Sequence, residues 1–271
     1  TKTMASNIIK KRLLVLGGNG YVGQNICHAA LQSNAFDVLS LNRSGSPTSS
    51  PEHLSESLSK VEWIKGDIFD KVAREDVMSQ VDAVVSCIGA FGSNEFMQRI
   101  CGDATIEAIR TAKEKGIKQF GFVSSAQVYE GSNALKMPSS APMSGYFRGK
   151  YNAEKELLQQ YAEGHYVILR PGFIYGPRIV GGLTIPLQVV GRPINVVGTQ
   201  MGPLSNLLQC IPFAGKELSS MVPVESVSEA MIASLDNIDV VKAIAGLDKE
   251  AEGKSGVILD AEAIRKFQPD R

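Results

Sequence analysis

The stretch Leu13–Gly23 reads LLVLGGNGYVG, and it decides the fold. Four apolar residues, Leu13–Leu16, predict a buried strand, and Gln24–Gln32 predicts the helix that follows the glycine-rich turn. A helix N-terminus presents unpaired backbone N–H groups and a positive dipole end, which together suit a pyrophosphate. The stretch therefore indicates dinucleotide binding, and a glycine turn in an ordinary βα unit is the alternative.

Each glycine of this motif has a separate predicted task. Gly17 allows a tight turn, Gly20 allows the backbone to approach the phosphates, and Gly23 allows the helix to pack against its strand. The predicted cofactor-binding residues of this stretch are Gly17, Asn19, Gly20, Tyr21, Val22 and Gly23.

Composition and charge narrow the class of protein. The 271 residues indicate one large domain or one and a half, and the hydrophobic fraction of 44% is enough for a sizeable core. A formal net charge of zero gives no indication of nucleic-acid binding. The cysteines are widely spaced without a Cys-x-x-Cys pair, and the histidines lack metal-ligand spacing. We therefore expect no metal site, no disulfide framework and a reducing compartment.

The beginning of the sequence is basic. Residues 1–12 carry Lys2, Lys10, Lys11 and Arg12 and no acidic residue. This leader fits the end of an organelle-targeting segment and equally a solvated basic tail. No charge-free apolar stretch of about 18 residues indicates a transmembrane span.

Strands and helices alternate along the first two thirds of the sequence. The apolar run Ala83–Ile88 is typical of a strand buried on both faces of a sheet. Strands separated by helical segments predict a parallel sheet with right-handed crossovers, and the glycine motif on the first unit indicates a doubly wound α/β Rossmann fold. Other predicted strands cover 36–41, 61–65, 119–124 and 166–169, and predicted helices cover 103–115 and 146–161.

The final third has a different composition. We assign residues 13–178 to the nucleotide-binding core and residues 179–271 to a small C-terminal subdomain on the substrate side. Residues 179–215 carry few charges and are rich in Val, Leu, Ile, Gly and Pro. The segment Leu204–Phe213 is either an apolar surface or simple packing against the core, and 243–254 is predicted to be an exposed loop.

The residues after the second predicted strand help to predict whether the protein binds NAD(H) or NADP(H). In NAD-binding units, an acidic residue about twenty positions past the glycine motif holds the ribose 2′-hydroxyl. The uncharged Asn42 stands there, followed by Arg43 and Ser44. A guanidinium can pair with a 2′-phosphate in a bidentate manner, so NADP(H) is predicted over NAD(H). The alternative is that Arg43 is a solvated loop residue.

A candidate catalytic set consists of Ser125, Tyr146 and Lys150. Ser125 follows a predicted strand, and the other two residues lie one turn apart at the start of a predicted helix. A free tyrosine has a pKa of about 10, which a nearby ammonium and a cationic nicotinamide would lower. Tyr146 could then exchange a proton with the substrate as hydride moves, while the serine hydroxyl orients the carbonyl. A second Tyr-x-x-x-Lys copy, Tyr151 with Lys155, begins later in the helix.

Other motifs accompany these residues: Gly66-Asp67, Cys87-Ile88-Gly89, Ser124-Ser125, Ala153-Glu154, Arg170–Gly176 and Val222–Val227. Over about residues 10–235, the sequence resembles an extended or atypical short-chain dehydrogenase/reductase. The resemblance implies that Asp67 and Ile68 contact adenine and that Gly89 lies by the nicotinamide ribose. It also implies that Lys150 binds ribose hydroxyls and that 171–173 lines the nicotinamide. The cofactor-binding residues taken from it are Asp67, Ile68, Cys87, Ile88, Gly89, Pro171, Gly172 and Phe173.

A narrower likeness concerns Ser86–Asn94, Ser144–Lys150 and Arg170–Pro177. These segments resemble a eukaryotic organellar subgroup that includes the dehydrogenase-like protein of the coenzyme Q biosynthetic complex. They are also similar to the NADPH-binding accessory subunit of respiratory complex I. The likeness implies a mitochondrial location, with the plastid second. Cys101 departs from the broader family, in which asparagine is usual.

Two functions are compatible with these features. The intact Ser125, Tyr146 and Lys150 favour NADP(H)-dependent hydride transfer to or from a carbonyl, alcohol or quinone-like apolar substrate. The alternative is an accessory subunit of respiratory complex I or of quinone biosynthesis. Such a subunit would hold NADPH without turnover and dock on the organellar membrane complex through residues 179–215. The short C-terminal third argues against a sugar-nucleotide epimerase.

Overall fold

The computed structural model describes residues 10–180, 183–186, 221–246 and 256–268. Its first part alternates strands and helices around the glycine motif. The elements in this part are β1 (Lys11–Leu16), α1 (Tyr21–Gln32), β2 (Phe36–Asn42), a 3-10 turn (Glu52–Leu54), α2 (Ser55–Leu58), β3 (Glu62–Lys65), α3 (Lys71–Met78) and β4 (Ala83–Ser86).

The second part carries the candidate catalytic residues, and the third contains shorter strands and the last helices. The second consists of α4 (Asn94–Gln98), a π-helical turn (Arg99–Asp103), α5 (Ala104–Glu114), β5 (Gln119–Val123), α6 (Asn133–Lys136), α7 (Ser144–Gln160) and β6 (His165–Arg170). The third consists of β7 (Ile174–Tyr175), β8 (Pro177–Val180), β9 (Leu183–Pro186), β10 (Val222–Pro223), α8 (Val224–Asp236), α9 (Ile238–Ala245), β11 (Gly256–Asp260) and α10 (Ala261–Ile264).

The main sheet has seven parallel strands in the order β11-β6-β5-β4-β1-β2-β3. The chain winds from β1 outward to β3, then returns and winds in the other direction from β4. The topological switch point therefore lies between β1 and β4, where ligands of such sheets bind outside the carboxyl ends of the strands. The predicted doubly wound parallel sheet is confirmed.

Helices cover both faces of this sheet, which explains its continuous apolar strands. Leu13 and Val15 belong to the core cluster that contains residues of α1 and α8. Leu14 and Leu16 belong to the opposite cluster, which contains residues of α5 and α7. The strand predicted at Ala83–Ile88 ends at Ser86, because the residues after it form a wall of the cleft described below.

The described part of the C-terminal third contributes to the main sheet and to its core. β11 pairs in parallel with β6 and forms an edge of the main sheet. Helix α8 packs on α1 because Val227, Met231 and Leu235, spaced four residues apart, form a buried stripe. Residues 221–246 and 256–268 therefore pack against the core, and the division into residues 13–178 and 179–271 stays a prediction.

Short strands follow β6 along the chain. Strand β7 pairs in parallel with β10, and β8 forms an antiparallel pair with β9. Helix α9 extends to Ala245 and Gly246 follows in the left-handed region (φ +73°), so the first residues of the loop predicted over 243–254 are helical and residues 247–254 lie outside the described residues. The predicted apolar surface Leu204–Phe213 and most of 179–215 lie outside the described residues. Among those described, no helix is long and apolar enough to cross a membrane.

Candidate functional site

The glycine motif forms a tight cradle between β1 and α1. Gly17 adopts φ +81°, and its carbonyl accepts a hydrogen bond from Gly20 N at 3.0 Å. A Cβ at Gly23 would clash with the Gly17 carbonyl oxygen and stand 2.6 Å from Gly18 Cα. The first turn of α1 therefore approaches the loop only because residue 23 lacks a side chain. The geometry fits a pyrophosphate at the N-terminus of α1.

A cleft of about 640 Å³ opens at the switch point between β1 and β4. Residues at or just after the carboxyl ends of β1, β2, β3 and β4 line this cleft. The predicted cofactor residues that line it are Gly17, Asn19, Gly20, Arg43, Ser44, Asp67, Ile68, Cys87, Ile88 and Gly89. Tyr21, Val22 and Gly23 lie in the first turn of α1, and Tyr21 lines an adjacent cavity of about 160 Å³. Pro171, Gly172 and Phe173 follow β6 and are not among the residues lining the cleft.

The end of β2 carries a neutral hydrogen-bond network instead of a carboxylate. Asn19 Nδ2 donates to Ser44 Oγ at 3.0 Å, and Ser44 Oγ lies 3.0 Å from Asn42 Oδ1. Arg43 is exposed beside this network, and no carboxylate of the described residues lies within ion-pair distance of its guanidinium. The end of β2 therefore presents a cation, one hydroxyl group and two side-chain amides.

The far end of the cleft contains residues that the sequence did not single out. The Arg99 guanidinium lies 4.6 Å from the ring centroid of Phe69, and both side chains line the cleft. Asp67 Oδ1 accepts a hydrogen bond from Phe69 N at 3.0 Å, which fixes the turn after β3. The adjacency of Phe69 to Asp67-Ile68 is the only sequence signal that could have identified this pair.

Tyr146 and Lys150 lie in the first two turns of α7, beside the carboxyl end of β5. Lys150 is buried, and its Nζ donates to Val123 O at 2.7 Å. The same Nζ lies 5.4 Å from the ring centroid of Tyr146. Ser125 is half-buried in the turn after β5, where its carbonyl accepts from Val128 N at 2.9 Å. The fold thus brings the three candidate residues to one edge of the sheet.

The expected lowering of the Tyr146 pKa does not occur in the protein alone. Burial raises the pKa of Tyr146 above its ordinary value, and the Lys150 ammonium does not offset it. Burial also lowers the pKa of Lys150. The reason is geometric, because the amine lies over the tyrosine ring and its hydrogen bond goes to a backbone carbonyl. Tyr146 is therefore held in its protonated form.

Close helix packing fixes the position of α7. A Cβ at Gly102, in the π-helical turn, would stand 2.7 Å from Gly149 Cα. Asn94 Oδ1 accepts from Gly145 N at 3.1 Å, and Asn94 Nδ2 donates to the carbonyls of Ser139 and Ala141. Asn94 thus ties the loop before α7 to α4 and positions the turn that carries Tyr146. The sequence analysis missed this role.

An ion pair also fixes α7 against the main sheet. Arg170 Nη2 lies 2.6 Å from Glu154 Oε2, so a largely buried ion pair joins the end of β6 to α7.

Ala90 N donates to Cys101 Sγ at 3.4 Å, so the thiol stabilises the loop after β4 at the position where asparagine was expected. Burial raises the pKa of Cys87 to about 12, so this thiol stays protonated in the wall of the cleft.

The cysteines and histidines give no sign of metal chemistry in the described part of the chain. Cys27, Cys87 and Cys101 are free thiols, and Cys210 lies outside that part. No group of three or more His, Cys, Asp or Glu side chains there could hold a metal ion.

Two organellar proteins are similar to this chain over most of its length. An uncharacterised chloroplastic protein of Arabidopsis thaliana is 36% identical over 236 residues, which cover 87% of this chain and 75% of that protein. The mitochondrial protein FMP52-2 of Scheffersomyces stipitis is 25% identical over 242 residues, which cover 87% of this chain and 97% of that protein.

Solved structures share the same fold at low sequence identity. The UDP-glucose 4-epimerase of Bifidobacterium longum in complex with NAD⁺ and UDP has a TM-score of 0.60 and 17% identity. The similarity covers 94% of this chain and 92% of that one. Residues 13–243, which include the glycine motif, the cleft and α7, match the sequence pattern of a single family. The chain belongs to the NAD dependent epimerase/dehydratase family.

Proposed function

We propose that this protein is an NADP(H)-dependent reductase that acts on a carbonyl or quinone-like apolar substrate, or on the corresponding alcohol in reverse. The observation that carries the proposal is the position of Tyr146 and Lys150, on one face of α7 at the carboxyl end of β5. Residues predicted to bind the nucleotide line the neighbouring cleft between β1 and β4. When bound there, the dihydronicotinamide supplies the hydride.

The protein supplies the proton and the orientation. A carbonyl oxygen would accept hydrogen bonds from the hydroxyl groups of Tyr146 and Ser125. The raised pKa of Tyr146 keeps its proton available, and reduction requires this protonated form. Lys150, whose Nζ is held by Val123 O beside the tyrosine, would bind the ribose hydroxyls of the nucleotide, the role that the resemblance implies for it. Proton donation of this kind contributes about 10²- to 10⁴-fold to a rate.

Preference for NADP(H) over NAD(H) is supported by the end of β2. Asn42 stands where an acidic residue would bind a ribose 2′-hydroxyl, and Arg43 follows it without an ion-pair partner among the described residues. A 2′-phosphate would meet no negative side chain of the Asn19–Ser44–Asn42 network and could pair with the guanidinium. The mitochondrial and chloroplastic names of similar proteins support an organellar location, with the mitochondrion first.

A second candidate function is that of an accessory subunit which holds NADPH on a membrane complex without turnover. The specific observation that favours it is the tie between Lys150 Nζ and Val123 O, since an amine engaged this way does not lower the pKa of Tyr146. The expected docking segment, 179–215, would provide the contact with such a complex. Only this second candidate function implies a role in respiratory complex I or in quinone biosynthesis.

Replacement of Tyr146 by phenylalanine separates the two candidates. We expect Tyr146→Phe to lower kcat for NADPH-dependent reduction by at least about 100-fold, because only the proton donor is removed. The dissociation constant of NADPH should change by less than about twofold, since the ring and its packing are kept. Steady-state kinetics with a set of aromatic ketones and quinones, together with an NADPH titration, measure both quantities. Equal kcat values in the two proteins would exclude Tyr146 as the acid–base group.

A further inference from the structure

The loop between β4 and α4 places an aromatic ring against the candidate catalytic tyrosine. The Phe91 and Tyr146 rings are stacked, with centroids 5.7 Å apart and an interplanar angle of 17°. Phe91 is nevertheless 74% exposed. One face of the Phe91 ring is therefore held by Tyr146, and the rest of the ring is open.

The position of Phe91 is fixed by its neighbours on both sides. Gly89 and Ala90 line the nucleotide cleft, and Ala90 N donates to the Cys101 thiol. On the other side, the Phe96 ring fills the space beside Gly92, where a Cβ would stand 2.8 Å from it. The loop consequently runs from the nucleotide cleft to Tyr146 and carries Phe91 between them.

This geometry limits how a substrate can reach the tyrosine hydroxyl. Two rings with a third between them need about 7 Å, twice the usual contact distance of about 3.5 Å. The 5.7 Å separation of Phe91 and Tyr146 is shorter, so no ring fits between them. A substrate ring that contacts Phe91 while its carbonyl oxygen bonds to the Tyr146 hydroxyl would therefore lie beside the tyrosine ring, on the part of Phe91 that Tyr146 leaves open.

The open side of an aromatic ring distinguishes flat from puckered ligands. A planar unsaturated ring can stack on Phe91 in the offset arrangement that aromatic pairs prefer. A saturated ring of the same carbon skeleton is puckered, and its axial hydrogens keep it from the same close contact. Burial of apolar area alone would give the opposite preference, because the saturated compound is the more hydrophobic of the two.

We infer that Phe91 is a specificity-determining residue that selects planar, unsaturated apolar carbonyl compounds by stacking beside Tyr146. This inference rests on the proposed reductase function, because it assigns the substrate class of that same site. Phe91 takes no part in proton or hydride transfer. Its effect is confined to which carbonyl compound is held within reach of the tyrosine.

The test compares two ketones with one carbon skeleton, acetylnaphthalene and acetyldecalin. Their dissociation constants are measured by equilibrium dialysis on the full chain loaded with NADP⁺, so that no turnover is needed. The wild-type protein should bind the aromatic ketone about tenfold more tightly, the size expected of one aromatic stacking contact. In Phe91→Leu, which keeps apolar volume but lacks a ring, the ratio should fall to about one. Phe91→Tyr should restore the ratio, and Val72→Ala, an exposed apolar position on α3, should leave it unchanged.

The outcomes separate this inference from the proposed function. A ratio near one in the wild-type protein, or a ratio unchanged in Phe91→Leu, would overturn the role of Phe91 even if NADPH is consumed with both ketones. A ring-dependent ratio without any oxidation of NADPH would leave the selectivity of Phe91 standing and refute the reductase. Selective binding and selective turnover together support both.

Discussion

At the scale of single residues, the proton on Tyr146 depends on its surroundings more than on its position in a motif. The spacing of Tyr146 and Lys150 predicted two side chains on one helix face, and α7 places them there. The spacing could not predict that the amine would bond to Val123 O, since that carbonyl belongs to β5, 27 residues earlier in the chain. The raised pKa of the tyrosine follows from this three-dimensional environment.

Arg43 carries the prediction of nucleotide choice at this scale. We expect Arg43→Gln to weaken NADPH binding by about tenfold, because a charge-assisted contact with the 2′-phosphate is lost. The affinity for NADH should change by less than about twofold, since NADH lacks that phosphate. Isothermal titration of both nucleotides measures the two effects.

A matched control for Arg43→Gln is Lys60→Gln, which removes an exposed cation paired with Glu56 away from the cleft. Lys60→Gln should leave both affinities unchanged. The assignment of Arg43 would be wrong if Arg43→Gln weakened NADPH and NADH equally, or weakened neither.

At the scale of secondary-structure elements, one close contact near the site joins the π-helical turn to α7. The sequence predicted one helix from 103 to 115, whereas α5 begins at Ala104 after a turn of different pitch. The hydrophobic periodicity of one segment cannot predict such a turn. The turn allows Gly102 to pack against Gly149, which belongs to another segment of the chain. π-Helical turns often lie at functional sites, and here the turn also carries Cys101, which holds the loop of Phe91.

Gly102→Ala tests this packing. Its added methyl group would stand 2.7 Å from Gly149 Cα and 2.9 Å from Gly149 O, so the two helical segments must separate. We expect the free energy of unfolding to fall by about 1–3 kcal/mol, the usual cost of overpacking. Urea denaturation measures this change, and kcat should fall as well because α7 carries Tyr146.

Gly89→Ala provides the comparison for stability, because a Cβ at Gly89 meets no atom within 4 Å and its φ is not in the left-handed region. Its free energy of unfolding should stay within about 0.5 kcal/mol of the wild-type value. If Gly102→Ala were as stable as Gly89→Ala, the close contact between the π-helical turn and α7 would not be important for stability.

At the scale of the whole molecule, the sequence predicted the doubly wound sheet but not its C-terminal edge strand. Apolar runs and the glycine motif are local signals, and they specified the parallel, doubly wound arrangement around β1. The edge strand Gly256–Asp260 was missed because its pairing with β6 joins segments about ninety residues apart, which no local pattern reports. Phe91, Asn94 and Arg99 were missed as site residues for the same reason, since each acts through a contact made only in the folded chain.

The central claim is that the protein binds NADP(H) in the cleft between β1 and β4 and turns it over. The most direct measurement is mass spectrometry of the nucleotide released from natively purified protein, combined with the rate at which the bound nucleotide exchanges with isotopically labelled NADPH. We predict that NADP(H) is released in preference to NAD(H), that it exchanges within seconds, and that no membrane-complex subunit co-purifies in stoichiometric amount. Release of NAD(H), or of stoichiometric NADPH that does not exchange over hours and co-purifies with respiratory or quinone-biosynthetic subunits, would contradict the claim.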